Sequence, residues 1–218
     1  MTSVLSCSQL PPEILYEQIA LALETKGYVV LPSALPVNVA DALLDHLAVL
    51  DEHEFHHATI GRGEGQVQNN FVRRDKITWI YPNDPLADQW HAWANALQQY
   101  LNRRLFLGLF SFESHFSYYQ KGDFYQKHLD AFQGQSNRIL SLATYLNRDW
   151  LPEQGGELVI YDSKGDELVK VTPSFGTLVV FLSEEFPHEV LKAKRSRFSV
   201  AGWFRVNTSN AERADPPV

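Results

Sequence analysis

Tyr125-Gln126-Lys127-His128-Leu129-Asp130 ends in a His-x-Asp. On a β-strand, residues i and i+2 point to the same face, so this imidazole and this carboxylate can reach one ion. Alone the pair carries little weight, because about 0.4 such matches arise by chance in a chain with this many His and Asp residues. Its surroundings give it a setting. From Leu105 onward short β-rich runs alternate with turns, at 105–119, 124–130, 138–147, 156–161, 167–171, 176–182, 188–192 and 197–206, punctuated by Gly, Pro and Asn or Asp. Short strands at this spacing predict a sandwich or barrel.

The half before Leu105 reads differently. A helix is predicted from Pro11-Pro12 to about Thr25, with Ile14, Leu15, Ile19, Ala22 and Leu23 at helical spacing and Gly27 as its stop. Tyr28–Leu31 is a short strand, and Pro36 opens a second helix with Val39, Leu43, Leu44, Leu47 and Leu50 on one face. His53–Asn70 is polar and glycine-containing, and reads as a long exposed loop or mobile finger. Lys76–Tyr81 is β-prone. A third helix follows Pro85, with Leu86, Trp90, Trp93, Leu97 and Tyr100 on its apolar side. The fold expected is α+β and mainly β: a double-stranded β-helix (jelly roll, cupin-like) buttressed by N-terminal helices. One domain over 1–218 is expected, with helical support at about 11–103, a jelly-roll core at about 105–206 and a frayed tail at 207–218.

The net charge of −7 argues against broad nucleic-acid binding, which needs a basic surface. Cys7 is the single cysteine, so no intrachain disulfide forms and a reducing compartment fits. No apolar run approaches the roughly 20 residues of a membrane helix. The first ten residues lack the basic and apolar regions of a signal peptide. The expectation is a soluble, cytoplasmic protein with no nucleic-acid or membrane partner; the oligomeric state is not legible.

His188, 58 residues after Asp130 and just beyond the apolar run Thr177–Leu182, supplies a third ligand. Two histidines and one carboxylate on one face of an octahedral metal form the facial triad of non-haem Fe(II) oxygenases, which leaves three positions open. Zinc fits the same donors but cannot activate oxygen. Both histidines must be neutral to bind metal, so affinity is expected to fall as pH drops through about 6. Arg197, nine residues after His188, opens the last strand. Its planar fork suits the far carboxylate of a dicarboxylate cosubstrate. Of the other histidines, His53, His56 and His57 read as solvent-exposed. His46 and His91 fall on the polar faces of helices, and His115 shares strand parity with Tyr119 and could line a pocket.

Further blocks carry a resemblance. Val72-Arg73-Arg74-Asp75-Lys76-Ile77-Thr78-Trp79-Ile80, Ala143–Trp150, Gly155-Gly156-Glu157-Leu158, Pro173-Ser174-Phe175-Gly176, Pro187-His188-Glu189-Val190 and Arg197–Trp203 recur in the order found in the prolyl 4-hydroxylase-type oxygenases. Over roughly residues 55–206 the chain resembles these enzymes, above all the hypoxia-factor prolyl hydroxylases and their bacterial relatives. The resemblance implies Fe(II), 2-oxoglutarate and O2, with ascorbate as a further cofactor, and a prolyl residue of a protein or peptide as substrate. By position it makes His128, Asp130 and His188 the iron ligands. Arg197 and Tyr145 would bind the distal carboxylate of 2-oxoglutarate, with Tyr119 near its chelating end and Trp203 in the pocket wall. Tyr125 would lie at the substrate mouth, and Arg73, Arg74 and Asp75 where the finger loop meets substrate. Three features depart from the family. Ala201 replaces a hydroxyl-bearing residue of the animal enzymes, the turn from Tyr119 to Tyr125 differs, and the tail after Val206 does not match their C-terminal helix. From the residues alone, two other readings stand beside the prolyl one. One is the same cofactors acting on a free amino acid or small molecule, and the other is a non-catalytic jelly-roll module holding a structural metal.

Overall fold

The computed structural model describes residues 11–58, 71–131 and 137–207. The predicted frayed tail beyond 207 and most of the finger loop, 59–70, lie outside them. Three helices come first or are interleaved with strands: α1 (Pro12–Lys26), α2 (Val37–Val49) and α3 (Asp88–Leu105). Pro12 sits in the first turn of α1, where its missing N–H is no loss, and Gly27 ends the helix in the left-handed conformation at φ 76°. The strands are β1 (Tyr28–Leu31), β2 (His56–His57), β3 (Lys76–Ile80), β4 (Leu109–Tyr119), β5 (Tyr125–His128), β6 (Arg138–Tyr145), β7 (Leu158–Tyr161), β8 (Glu167–Val171), β9 (Leu178–Leu182), β10 (His188–Val190) and β11 (Arg197–Val206).

Two antiparallel sheets form the jelly roll. The larger runs β1-β9-β6-β11-β4-β3-β2 and the smaller β5-β10-β7-β8. The period-2 pattern of β6, β9, β4 and β11 sorts their side chains. Leu140, Leu142, Leu178, Val180, Val200, Phe204 and Phe116 share one face and are buried among Leu15, Ile19, Trp90, Leu97 and Leu101 of the helices. Ser141, Ala143, Tyr145, Val179, Phe181, Ser199, Ala201, Trp203, His115 and Tyr119 share the other, which looks towards the smaller sheet.

Several expectations shift. The last helix does not stop before Leu105: α3 runs through that residue, Phe106 turns left-handed at φ 55°, and β4 begins at Leu109. Asn102 fixes this corner, its amide donating to the Leu109 carbonyl at 2.8 Å and its oxygen accepting from the Leu109 N–H at 2.7 Å. Leu105 is apolar because it packs on the helical core, not because it starts a strand. Leu86 is exposed in a 3-10 turn ahead of α3, so the buried stripe is Trp90, Trp93, Leu97 and Leu101. His46 is buried, not on a polar face: its ring meets Phe116 edge-on and Nε2 lies 3.1 Å from Asp84. The helical half also lends strands to the sheet, since β1 pairs with β9 and β3 with β4.

Asn147, just past β6, ties three loops together. Its amide donates to the carbonyls of Pro173 and Phe198, both at 2.9 Å, and its oxygen accepts from the Phe198 N–H at 2.7 Å. Asn147→Ala strands these buried backbone groups, and a loss of about 1–3 kcal/mol is expected from denaturant midpoints. A shift of only a few tenths would contradict this role.

Candidate metal and cosubstrate site

The ligand atoms of His128, Asp130 and His188 lie within 4.8 Å of one another. His188 is on β10, directly opposite His128 of β5 on one side and Ile160 of β7 on the other. Asp130 departs from the sequence reading: β5 ends at His128, and Asp130 lies beyond it in a bend. It does not reach the site by strand parity. Ser141 on the large sheet draws it in, Oγ donating to Oδ2 at 2.6 Å. Asp130 Oδ1 is 3.5 Å from His128 Nε2, and Oδ2 is 3.6 Å from His188 Nε2.

Each histidine is fixed from behind. His128 Nδ1 is 2.8 Å from the Gln126 carbonyl, and His188 Nδ1 is 3.1 Å from the Phe186 carbonyl. A carbonyl only accepts, so Nδ1 carries the proton in both rings and each Nε2 keeps its lone pair for a metal. Burial is the main force on His188, lowering it to about 4 against the opposing pull of Asp130. It therefore keeps its ligand form to a lower pH than the sequence reading gave. Burial alone would raise the Asp130 carboxyl, but His188, His128 and Arg138 overcome it and hold it well below its ordinary range. Among the described residues Asp130 is the one carboxylate of this group. Two neutral nitrogens and one carboxylate suit a divalent first-row metal.

Arg197, only 2% exposed, opens β11. Its Nε donates to the Gly156 carbonyl at 2.8 Å and Nη1 to Ser199 Oγ at 3.0 Å. No carboxylate pairs with it among the described residues. The aromatic rings of Tyr119 and Tyr145 flank the guanidinium at 4.8 and 5.0 Å. Gly156, at φ 72°, makes room for it: a Cβ there would meet Arg197 Cδ at 3.1 Å. The Tyr145 hydroxyl is buried, with the Arg197 guanidinium as its polar neighbour and no other hydrogen-bond partner among the described residues. Burial pushes it up to about 12 while Arg197, close by, pulls the other way. The Trp203 Nε1 is also buried, with no hydrogen-bond partner among the described residues.

Between Tyr145 and Ser141 the inner face spans four residues of β6, roughly 13 Å of strand. Small side chains line that stretch: Ala143 opposite Ala201, with Ser199 and Ser117 beside them. Ala143 and Ala201 stay partly accessible among buried neighbours. The result is a trough with a cation and two buried donors along it and a metal-type donor set near Ser141. A short dicarboxylate that also chelates metal fits such a trough.

The other candidates fall nearby. Trp203 stands in the wall, with the Arg138 guanidinium 3.6 Å over its ring and His115 at 5.3 Å. His115 is buried on the inner face; burial, aided by Arg73, lowers it to about 4, so it is a neutral imidazole. Asp75 is 1% exposed and its carboxylate is engaged by Arg73 at 2.8 and 2.6 Å. Arg74 is exposed, with its guanidinium 5.2 Å from the Phe124 ring. Tyr125 stacks on His128 at 3.6 Å. Sequence reasoning missed Ser141, Ser199 and the buried network in which Glu113 joins Arg138 and Arg205 at 2.7 and 3.2 Å. Ser141 had a usable signal, since it stands four residues before Tyr145 and so shares its face.

Comparison with known proteins agrees with this geometry. Residues 114–205 match the 2OG-Fe(II) oxygenase superfamily. A prolyl-4-hydroxylase from Pseudomonas putida is 38% identical, aligning over 88% of this chain and 98% of its own with a TM-score of 0.78. A Trichoplax adhaerens prolyl hydroxylase, solved with a hypoxia inducible factor peptide fragment, is 25% identical over 89% of this chain and 90% of its own, also at 0.78. The non-heme alpha ketoglutarate dependent epimerase SnoN shares the fold, with 17% identity, 95% and 96% coverage and a TM-score of 0.63. The chain thus belongs to the 2OG-Fe(II) oxygenase superfamily, and prolyl hydroxylases are among its structural neighbours. Among the described residues no helix is long and apolar enough to cross a membrane.

His115 and His188 both sit near 4 in the fold against an ordinary value of about 6.5. Between those values the unfolded chain binds more protons, so the metal-free protein should lose stability as pH falls from about 6.5 to 4. The slope expected is on the order of 1 kcal/mol per pH unit for each histidine. Denaturant midpoints at pH 7 and 5 measure it, and His115→Gln should flatten it. An equally steep slope in that variant would remove His115 from the account.

Proposed function

We propose that this protein is an Fe(II)- and 2-oxoglutarate-dependent dioxygenase that hydroxylates a prolyl residue of a protein or peptide, releasing succinate and CO2. The observation that carries the cosubstrate is the buried Arg197. It has two of its donors used by the chain, no carboxylate partner among the described residues, and beside it the buried Tyr145 hydroxyl, which has no polar partner there but Arg197 itself. The prolyl substrate is supported by the 38% identity to the Pseudomonas putida enzyme and by the peptide bound to the Trichoplax adhaerens one.

In this reading His128, Asp130 and His188 hold the iron. When bound together, Fe(II), 2-oxoglutarate and O2 supply the oxidative decarboxylation and the C–H hydroxylation. The chain's own residues bind and orient. Arg197 and Tyr145 take the distal carboxylate, Arg197 as a fixed cation and Tyr145 as a neutral hydroxyl donor. Tyr119, whose hydroxyl burial keeps protonated, packs its ring against the Arg197 guanidinium, whereas the resemblance sets it near the chelating end of the cosubstrate. Ser141 holds one oxygen of Asp130, which leaves the other for metal. Trp203, braced by Arg138, and neutral His115 wall the trough and exclude water without adding a charge. Arg73, Arg74, Asp75 and Tyr125 border the mouth where a peptide would arrive.

The test is succinate formation from 2-oxoglutarate with Fe(II) and a proline-containing peptide, with the peptide product read by mass spectrometry. Wild type should gain 16 Da on proline, and His128→Ala should give no succinate above background. Arg197→Ala should weaken 2-oxoglutarate by about 10-fold to 100-fold, as expected for lost hydrogen bonds to a charged group. Equal turnover in wild type and His128→Ala would sink the enzymatic reading. Turnover of free proline but not of peptide would move the substrate to a small molecule.

A further inference from the structure

The segment from Val72 to Asp75 touches the metal site in a way that substrate contact does not explain. It lies alongside β5, joined to it by a single antiparallel bridge. Arg73 bridges to Tyr125, the Gln126 N–H donates to the Val72 carbonyl at 2.8 Å, and the Arg74 N–H to the Phe124 carbonyl at 3.1 Å. β5 needs this support. It has only four residues, and its pairing with β10 is interrupted by a register shift between His188 and Val190.

Side chains repeat the contact. The Tyr125 ring lies nearly parallel to the His128 imidazole, with centroids 3.6 Å apart and planes 16° apart. The Arg73 guanidinium lies over the same tyrosine ring at 4.2 Å. His128 fills one face, so the cation must occupy the other. Arg73 is itself clamped by the buried Asp75 through two parallel hydrogen bonds, a geometry that fixes the plane of the fork. A layered stack thus runs from Asp75 through Arg73 and Tyr125 to His128. The Gln126 peptide held by Val72 also presents the carbonyl that fixes His128 Nδ1.

We propose that Tyr125 and Arg73 are positioning residues for the metal ligand His128, and that the 72–75 arm thereby sets the affinity of the metal centre. The inference rests on the metal-binding reading of the triad. His188 is held within the small sheet and against the Phe181 ring, and Asp130 by Ser141. Of the three, His128 is the ligand whose ring stacks on a residue tied to an arm outside the jelly-roll strands. An imidazole turned about its Cβ–Cγ bond would sweep into the tyrosine ring, so the stack holds Nε2 towards the other two ligands. Partners of this kind behind a metal ligand change affinity by about 10-fold to 100-fold when removed.

The experiment is calorimetric titration of the full chain with cobalt(II) alone, beside the melting temperature of the metal-free protein. Tyr125→Leu removes the ring and should weaken cobalt by about 10-fold with little change in melting temperature. Tyr125→Phe keeps the ring and should bind as wild type does. The double variant Arg73→Met/Asp75→Leu replaces the buried ion pair with apolar groups and should weaken cobalt in the same direction. Tyr125→Leu binding as tightly as wild type would overturn the proposal. So would an equal loss in Tyr125→Phe, which would assign the effect to the hydroxyl. If wild type binds no cobalt, the metal-site reading itself fails, and this inference with it.

Discussion

A buried guanidinium without a carboxylate partner among the described residues organises this molecule. Arg197 is almost fully enclosed, and a buried charge lacking compensation costs several kcal/mol. The chain supplies part of that compensation through the Gly156 carbonyl, the Ser199 hydroxyl and two flanking aromatic rings. It stops short of neutralising the charge. The small residues of the inner face, the glycine at 156 and the buried Tyr145 hydroxyl leave room beside it, as the proposed cosubstrate requires. The metal-type donor set lies farther along the same strand, so the trough has a cationic end and a metal-binding end. That polarity matches the dicarboxylate of the proposed reading, one carboxylate for each end.

The sequence carried much of this because strand periodicity and site chemistry coincide. Alternation along 138–145 and 197–206 separates a helix-facing row from an inward row, and the inward row holds Tyr145, Arg197 and Trp203. Other features were hidden because they depend on contacts far apart in the chain. Asp130 is positioned by Ser141 across the sheets, not by the strand that bears His128. His46 looked polar on a helix but is buried by Phe116 and Asp84. Asp75 was expected where the finger loop meets substrate, yet its carboxylate is enclosed because Arg73 folds back onto it. Local pattern cannot reveal the first two pairings, since each is decided by where distant segments meet; Arg73 and Asp75 are near neighbours, and what the pattern hides there is their burial.

The shared fold does not choose the reaction, for it also carries an epimerase. What separates such enzymes lies around the trough. Here that surround includes the 72–75 arm, the stacked Tyr125, and the Arg138–Trp203 wall backed by Glu113. In the proposed reading the arm borders the substrate side, and it reaches the metal ligand His128 through Tyr125. It is therefore the place where recognition outside the trough can be felt at the metal.

The most direct test is a crystal structure of the protein grown without oxygen, with manganese(II) and 2-oxoglutarate. The account predicts manganese held by His128 Nε2, His188 Nε2 and the Asp130 carboxylate, with the cosubstrate's far carboxylate on Arg197 and the Tyr145 hydroxyl. A metal bound elsewhere, or a trough in which Arg197 and Tyr145 remain without an anion at saturating 2-oxoglutarate, would contradict it.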